Sequence, residues 1–200
     1  MTAIQTGALL ILTVFYASFF IKAIMMKRRG IDSNLLGKGQ KPEKARRVEQ
    51  RLKAVTYAGA TLQFAGLFLA GKIWGLTAFR PPQYLGLLLA AGGCAFFIAA
   101  MRAMKNNWRS GCAKGQNSSL VVSGPYKISR NPAFVGFDLL YIGYTFIFPN
   151  ILSLTLLVLA VVTFHQQILE EEGFLEKTFG QEYRQYKAKV QRYLGLRRPR

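Results

Sequence analysis

Four stretches of this chain carry almost no charge, and their length limits what it can fold into. Ile4 to Met26 holds one charged side chain, Lys22; Ala54 to Gly71 and Gln83 to Met101 hold none; Ala133 to Phe164 holds only Asp138. A helix needs about 20 mostly apolar residues to cross a bilayer. Spanning segments must also satisfy their backbone internally, which favours helices over open sheets. Ala133–Phe164 is long enough to fold back on itself at Pro149-Asn150. The pattern predicts an all-α polytopic integral membrane protein with five spans, roughly 4–26, 54–78, 83–104, 133–148 and 151–168. The last two are short enough for tilt, thinning or an incomplete crossing.

A net charge of +18 invites a nucleic-acid reading. The distribution of the charge argues for membrane orientation instead. Lys and Arg number ten over residues 27–53, six over 102–131 and eight from 170 onward, against two over 72–82 and none before Ile4 or in the Pro149-Asn150 turn. This alternation follows the positive-inside rule. It predicts insertion in the cell (inner) membrane, with the N-terminus outside and the C-terminus cytosolic. Ile4–Met26 lacks a basic leader and a small-x-small cleavage site, so it reads as a retained span. One histidine and the lack of a Cys-x-x-Cys pair argue against a protein-built metal site.

Between the spans, Lys27–Lys53 reads as a basic anchor at headgroup level, helix-like from Glu43. Lys105–Arg130 is long for a helix connection, and long ordered loops are often functional. Within it Trp108 has the character of an interface residue, Leu120-Val121-Val122 reads as a short strand-like run, and Ser123-Gly124-Pro125 as a turn. After the hairpin, an aromatic periodicity from Phe174 to Tyr193 predicts interfacial helices broken at Gly180.

Chemistry concentrates at the two cytosolic ends of the 133–168 hairpin. Asn131-Pro132 has the signature of a capped helix start, and such an end, with Arg130 beside it, attracts carboxylate or phosphate. Glu170-Glu171-Glu172 continues the last span into the cytosol; successive side chains point about 100° apart, so at most two face one site. One of them could hold a ligand ammonium or ribose hydroxyl, with Gln167 one turn earlier on the face of Glu171. Asp138 is a carboxylate two turns inside a span, a costly position that is either functional or paired. His165 has no partner motif and reads as an interfacial histidine.

From about Asn107 to Tyr193 these segments resemble the isoprenylcysteine carboxyl methyltransferase family and its phospholipid-methylating relatives. The resemblance rests on Leu120-Val121-x-Ser123-Gly124-Pro125-Tyr126, Arg130-Asn131-Pro132-x-Phe134-x-Gly136, the hairpin, Glu170-Glu171-Glu172 and Phe179-Gly180-x-Glu182-Tyr183-x-x-Tyr186. It implies a methyltransferase that uses S-adenosylmethionine in a cytosol-facing pocket, with a lipid or amphiphilic acceptor entering from the bilayer. By position, Ser118, Ser119, Leu120, Val121, Tyr126, Asn131, Pro132, Ala133 and Phe134 would contact the cofactor, Arg130 would add its cation, and Glu171 would complete the site. Trp108, Gln167 and Asp138 are the candidates on the acceptor side. The family pattern usually has histidine at Asn131, often tyrosine at Phe134 and, in the prenylcysteine enzymes, arginine at Gln167. Asparagine cannot become charged, so acid–base work at 131 is not expected. The resemblance also implies a single membrane domain, with a three-span part over 1–104 and a methyltransferase-like part over 105–200. A sterol-reductase-like NADPH enzyme and a non-catalytic membrane scaffold or lipid-binding protein stay open as alternatives.

Overall fold

The structure, a computed structural model, describes residues 1–39, 41–73, 81–111 and 119–196. Its helices are α1 (Ala3–Arg28), α2 (Glu43–Ile73), α3 (Pro81–Met104), α4 (Pro132–Ile147) and α5 (Ile151–Lys189), with short 3-10 turns at Lys105–Asn107 and Gly124–Lys127. The chain is all-α, as its uncharged runs require. α1, α3 with its 3-10 extension, and α5 are long and apolar enough to cross a membrane. α4 is apolar but only 16 residues long. α2 starts in the charged Glu43–Lys53 stretch and runs unbroken into its apolar half. Three of the five expected spans therefore meet the length and apolarity of a crossing helix. Residues 74–80, the end of the second expected span, lie outside the described residues.

Local chemistry sets the helix ends. Thr2 and Gln5 form a reciprocal capping box at the start of α1, and Lys27 and Arg28 occupy its last turn, where the helix dipole favours cations. At the hairpin, Ser153 N–H donates to Asn150 Oδ1 at 2.9 Å and Asn150 N–H to Ser153 Oγ at 3.3 Å. The expected two-residue turn is thus capped from both sides.

Glycines let α3 and α4 pack backbone to backbone. A Cβ on Gly93 would lie 2.6 Å from the Gly136 carbonyl oxygen, and one on Gly143 would lie 2.5 Å from that of Gly86. In lipid, where the hydrophobic effect between helices is weak, such close approach supplies much of the association. Phe15 of α1 stacks on Phe97 of α3 at 4.4 Å, with Phe137 of α4 edge-on to both. α1 packs chiefly on α3. It meets α2 through Tyr16 O–H donating to Gln63 Oε1 at 2.8 Å and Gln5 Nε2 donating to the Leu67 carbonyl at 3.4 Å.

α5 kinks at the expected place, Gly180, whose φ of 53° suits glycine. The kink brings Tyr183, Tyr186 and Val190 beneath the start of α4. Arg130 N–H donates to Gln191 O at 3.0 Å, and Gly195 N–H to Ile128 O at 2.8 Å. Two expectations change. Leu120-Val121-Val122 forms no strand; Leu120 packs instead on the cluster of Tyr183, Tyr186 and Val190. The start of the first loop is no mere headgroup anchor either. It folds back so that Leu35 N–H donates to Ser110 O at 2.9 Å and Ser110 N–H to Ser33 O at 2.8 Å.

Candidate functional site

Where the two loops, the start of α4 and the middle of α5 converge, they enclose a cavity of about 370 Å³, within the usual size of small-molecule sites. Asn107, Ser110, Ser119, Tyr126, Asn131 and Glu171 give one end of it a polar wall. Its other end is aromatic and runs between α1 and α2, past Phe19, Phe64 and Phe134 to Tyr16. Phe20 and Tyr57 stand on its rim there, each more than half exposed. The exposure of these two rings marks where the cavity reaches the surface, beside α1 and α2.

The three consecutive glutamates separate into three environments, as their 100° spacing dictates. Glu170 pairs with Lys44 at 2.9 Å on the outer surface. Glu172 is buried and accepts from Arg130 Nε at 3.0 Å, from Arg130 Nη2 at 2.8 and 3.0 Å to its two oxygens, and from Arg192 Nη2 at 3.1 Å. Burial alone would raise its carboxyl, but Arg192 and Arg130 outweigh burial and hold it below the usual carboxylate range. Glu171 lines the cavity. Burial pushes its carboxyl up to about 7, against a lowering by the Gln167 hydrogen bond; Glu49 raises it further, while Lys41 and the Gly111 N–H lower it. Tyr126 stays a neutral hydroxyl, raised by burial and then by the neighbouring Glu171.

At the start of α4, Asn131 does not cap the helix with its side chain. Its Nδ2 donates instead to Glu172 Oε1 and to Arg192 O, both at 3.1 Å, because a charge-assisted bond to a carboxylate is stronger than the neutral bond its Oδ1 would accept from a first-turn N–H. Ala133 and Phe134, in that turn, line the cavity. An uncapped helix start there retains its pull on anions. Arg130 and Asn131 border the cavity while their polar atoms also bind α5 and the C-terminal segment. Tyr186 O–H lies 2.7 Å from Tyr126 O and 3.2 Å from Ser129 O, fixing the turn that precedes α4.

The remaining expected residues divide. Ser119, Leu120, Val121 and Trp108 line the cavity; Trp108 is buried edge-on to Phe97 at 5.7 Å, deeper than an interface residue sits. Pro132 occupies the first turn of α4, buried and off the cavity wall. Ser118 lies outside the described residues. Gln167 is fully buried off the wall and donates to Glu171 Oε1 at 2.9 Å, so it braces the glutamate. Asp138 is not among the lining residues; its Oδ1 is buried with no hydrogen-bond partner among the described residues. His165 is turned to Tyr193, whose hydroxyl is 2.7 Å from Nδ1. Sequence reasoning missed Tyr16, Phe64, Lys41 and Glu49. The available signal for Glu49 was an acid inside a strongly basic loop.

The model of the phospholipid methyltransferase family matches residues 82–182, half of the chain. A curated protein of Schizosaccharomyces pombe, "Protein-S-isoprenylcysteine O-methyltransferase", is 35% identical over 78 residues, a stretch that is 38% of this chain and 33% of that protein. The chain thus aligns with about a third of the length of that relative.

Proposed function

This chain belongs to the phospholipid methyltransferase family, and from that premise we propose that it transfers a methyl group from S-adenosylmethionine to a lipid or other amphiphilic acceptor at the cytosolic membrane face. The observation that carries the reading is one carboxylate, Glu171, facing a cavity that the uncapped start of α4 also borders. A zwitterion with an extra cationic centre suits that pair. Its cationic side meets the carboxylate, and its own carboxylate meets the helix start. Tyr126, Ala133 and Phe134 supply the walls between them, and Ser119 to Val121 close the cytosolic side.

When bound, S-adenosylmethionine supplies the methyl group on a sulfonium that leaves as a neutral thioether. Charge is dispersed in that step, so an aromatic, water-poor wall favours it and alignment supplies much of the rate. Phe134, Phe137 and Phe164 form this wall. The acceptor enters between α1 and α2, tail among Phe19, Phe20 and Phe64, reactive end towards Glu171. His165 is off the cavity wall and turned to Tyr193, and in this reading Glu171 meets the donor's cationic side. An acceptor that is already anionic or easily deprotonated fits best. Because α1 and α2 line the same cavity as α4 and α5, residues 1–104 and 105–200 work as one domain.

Purified protein should bind methyl-labelled S-adenosylmethionine saturably, and Glu171→Gln should weaken this by at least about tenfold, the loss expected for a charge-assisted contact. Saturable NADPH binding in its place, or binding of neither by folded protein, would overturn the reading. Membranes incubated with the labelled donor then identify the acceptor class by whether label enters lipid, protein ester or a volatile product.

A further inference from the structure

Lys41 and Glu49 lie outside the segment that the family model matches, and the binding reading leaves them without a role. They form an ion pair at 2.7 Å with side chains only 7% and 4% exposed. All three ammonium protons and both carboxylate oxygens are engaged. Lys41 Nζ donates to both Glu49 oxygens and to Leu35 O at 2.7 Å, and Gly37 N–H donates to Glu49 Oε2 at 2.7 Å. A buried pair of this kind is weak as a stabiliser, since well-packed apolar residues often do as well. Its surroundings suggest a different use. Gly111, at φ +82°, presses against it; a Cβ there would sit 2.8 Å from Glu49 Oε1. The backbone of the same Gly111 hydrogen-bonds Glu171.

We propose that Lys41 and Glu49 are positioning residues for Glu171: their ion pair fixes Gly111 against the Glu171 carboxylate and sets how strongly that carboxylate attracts a cationic ligand. The inference rests on the donor-site reading of Glu171 given above. Among the described residues, the side-chain groups acting on Glu171 are Lys41 from the first loop, Glu49 from α2, Tyr126 from the turn before α4 and the Gln167 amide of α5 itself; the cations Arg109 and Arg130 line the same cavity. Glu49 and Lys41 act on Glu171 in opposite directions. The pair therefore holds a balance that either charge alone would upset. Without Glu49, Glu171 ionises at lower pH; without Lys41, it ionises at higher pH.

The test is binding of labelled S-adenosylmethionine by the full chain between about pH 6 and pH 9, where a carboxyl raised to the neutral range titrates. Binding should rise with pH in the wild type. The midpoint should move down in Glu49→Gln and up in Lys41→Met, each by about half a unit or more, and Lys41→Arg should restore it. A purely structural pair would weaken both variants at every pH without moving the midpoint, which overturns the proposal. Should a single variant fail to fold, Lys41→Met combined with Glu49→Leu removes both charges at similar volume. Affinity there should fall about tenfold because Gly111 loses its anchor, and wild-type affinity would overturn the proposal. Failure of the donor-site reading looks different: the wild type then binds no S-adenosylmethionine, or binds it equally with Glu171→Gln.

Discussion

Arg130 and Glu172, 42 residues apart in sequence, meet with the Nε–Nη2 edge of the guanidinium on one carboxylate, Nε at 3.0 Å and Nη2 at 2.8 and 3.0 Å, both side chains shielded from water. The same arginine donates to Val190 O at 2.7 Å. The pair thus joins the start of α4, the middle of α5 and the C-terminal segment at a single point beneath the cavity. Removing Glu172 strands the buried Arg130 charge, at a cost of about 3–5 kcal/mol, while removing Arg130 leaves Glu172 only Arg192 and Asn131 among the described residues. Arg130→Ala and Glu172→Leu should each lower the thermal midpoint of the detergent-purified protein sharply. Arg130→Lys should rescue little, because a single ammonium cannot bridge the carboxylate and Val190 O with the geometry of a planar fork.

Glu171 has the opposite energetic sign. Its carboxyl is raised to about 7, chiefly by burial, above the ordinary unfolded value. Its contribution to stability is full below the ordinary carboxylate range and is lost as pH rises through about 7. Glu171→Gln should therefore raise the thermal midpoint of the ligand-free protein at about pH 8 and leave it nearly unchanged at about pH 4. Parallel pH scans of the two proteins check this. Equal midpoints at alkaline pH would show that the carboxyl is not raised.

How much of this was legible in the sequence depends on the range of the contacts involved. The helices follow from uncharged runs, the hairpin from Pro149-Asn150, and the kink from Gly180, all local signals. That one of three glutamates would line the cavity follows from helical spacing. Which one it is depends on Arg130 and Arg192 drawing Glu172 away and Lys44 drawing Glu170 away, and no local pattern carries that. Asn131 misled for the same reason: a good capping residue found a charged acceptor 41 residues downstream. The role of the first loop was hidden because its partner, Ser110, lies beyond two further helices.

The close approach of α3 and α4 makes a steric prediction with an internal control. Gly93 has the Gly136 carbonyl 2.6 Å from where its Cβ would be, whereas Gly92, one residue earlier, has nothing within 4 Å. Gly93→Val should separate the helices and reduce the yield of folded protein, since overpacking typically costs about 1–3 kcal/mol or more. Gly92→Val should be tolerated. Size-exclusion profiles of the two variants in detergent make the comparison.

The charge distribution predicts an orientation that binds the chemistry to one compartment. A reporter fused at the N-terminus should read external, and one fused after Arg200 should read cytosolic. Reversed signals would place the carboxylate end of the cavity on the side without the methyl donor.

The opening between α1 and α2 separates acceptor from donor in a way that one residue can test. Ala60 lines the cavity in α2, one turn from Tyr57 on the rim and one turn from Phe64, and about three turns along that helix from Glu49. Ala60→Phe adds a ring to the aromatic passage without touching Glu171, Tyr126 or the start of α4. Donor binding should stay within about twofold of wild type, a change of less than 1 kcal/mol. Methyl transfer to a long-tailed acceptor should slow, mainly through a raised KM, since uniform binding of the tail is what the new ring removes. A short-tailed analogue that does not reach Ala60 should be methylated at the wild-type rate. Equal losses for both acceptors would mean that the tail does not run between α1 and α2. A loss of donor binding would mean that the two ends of the cavity are not independent.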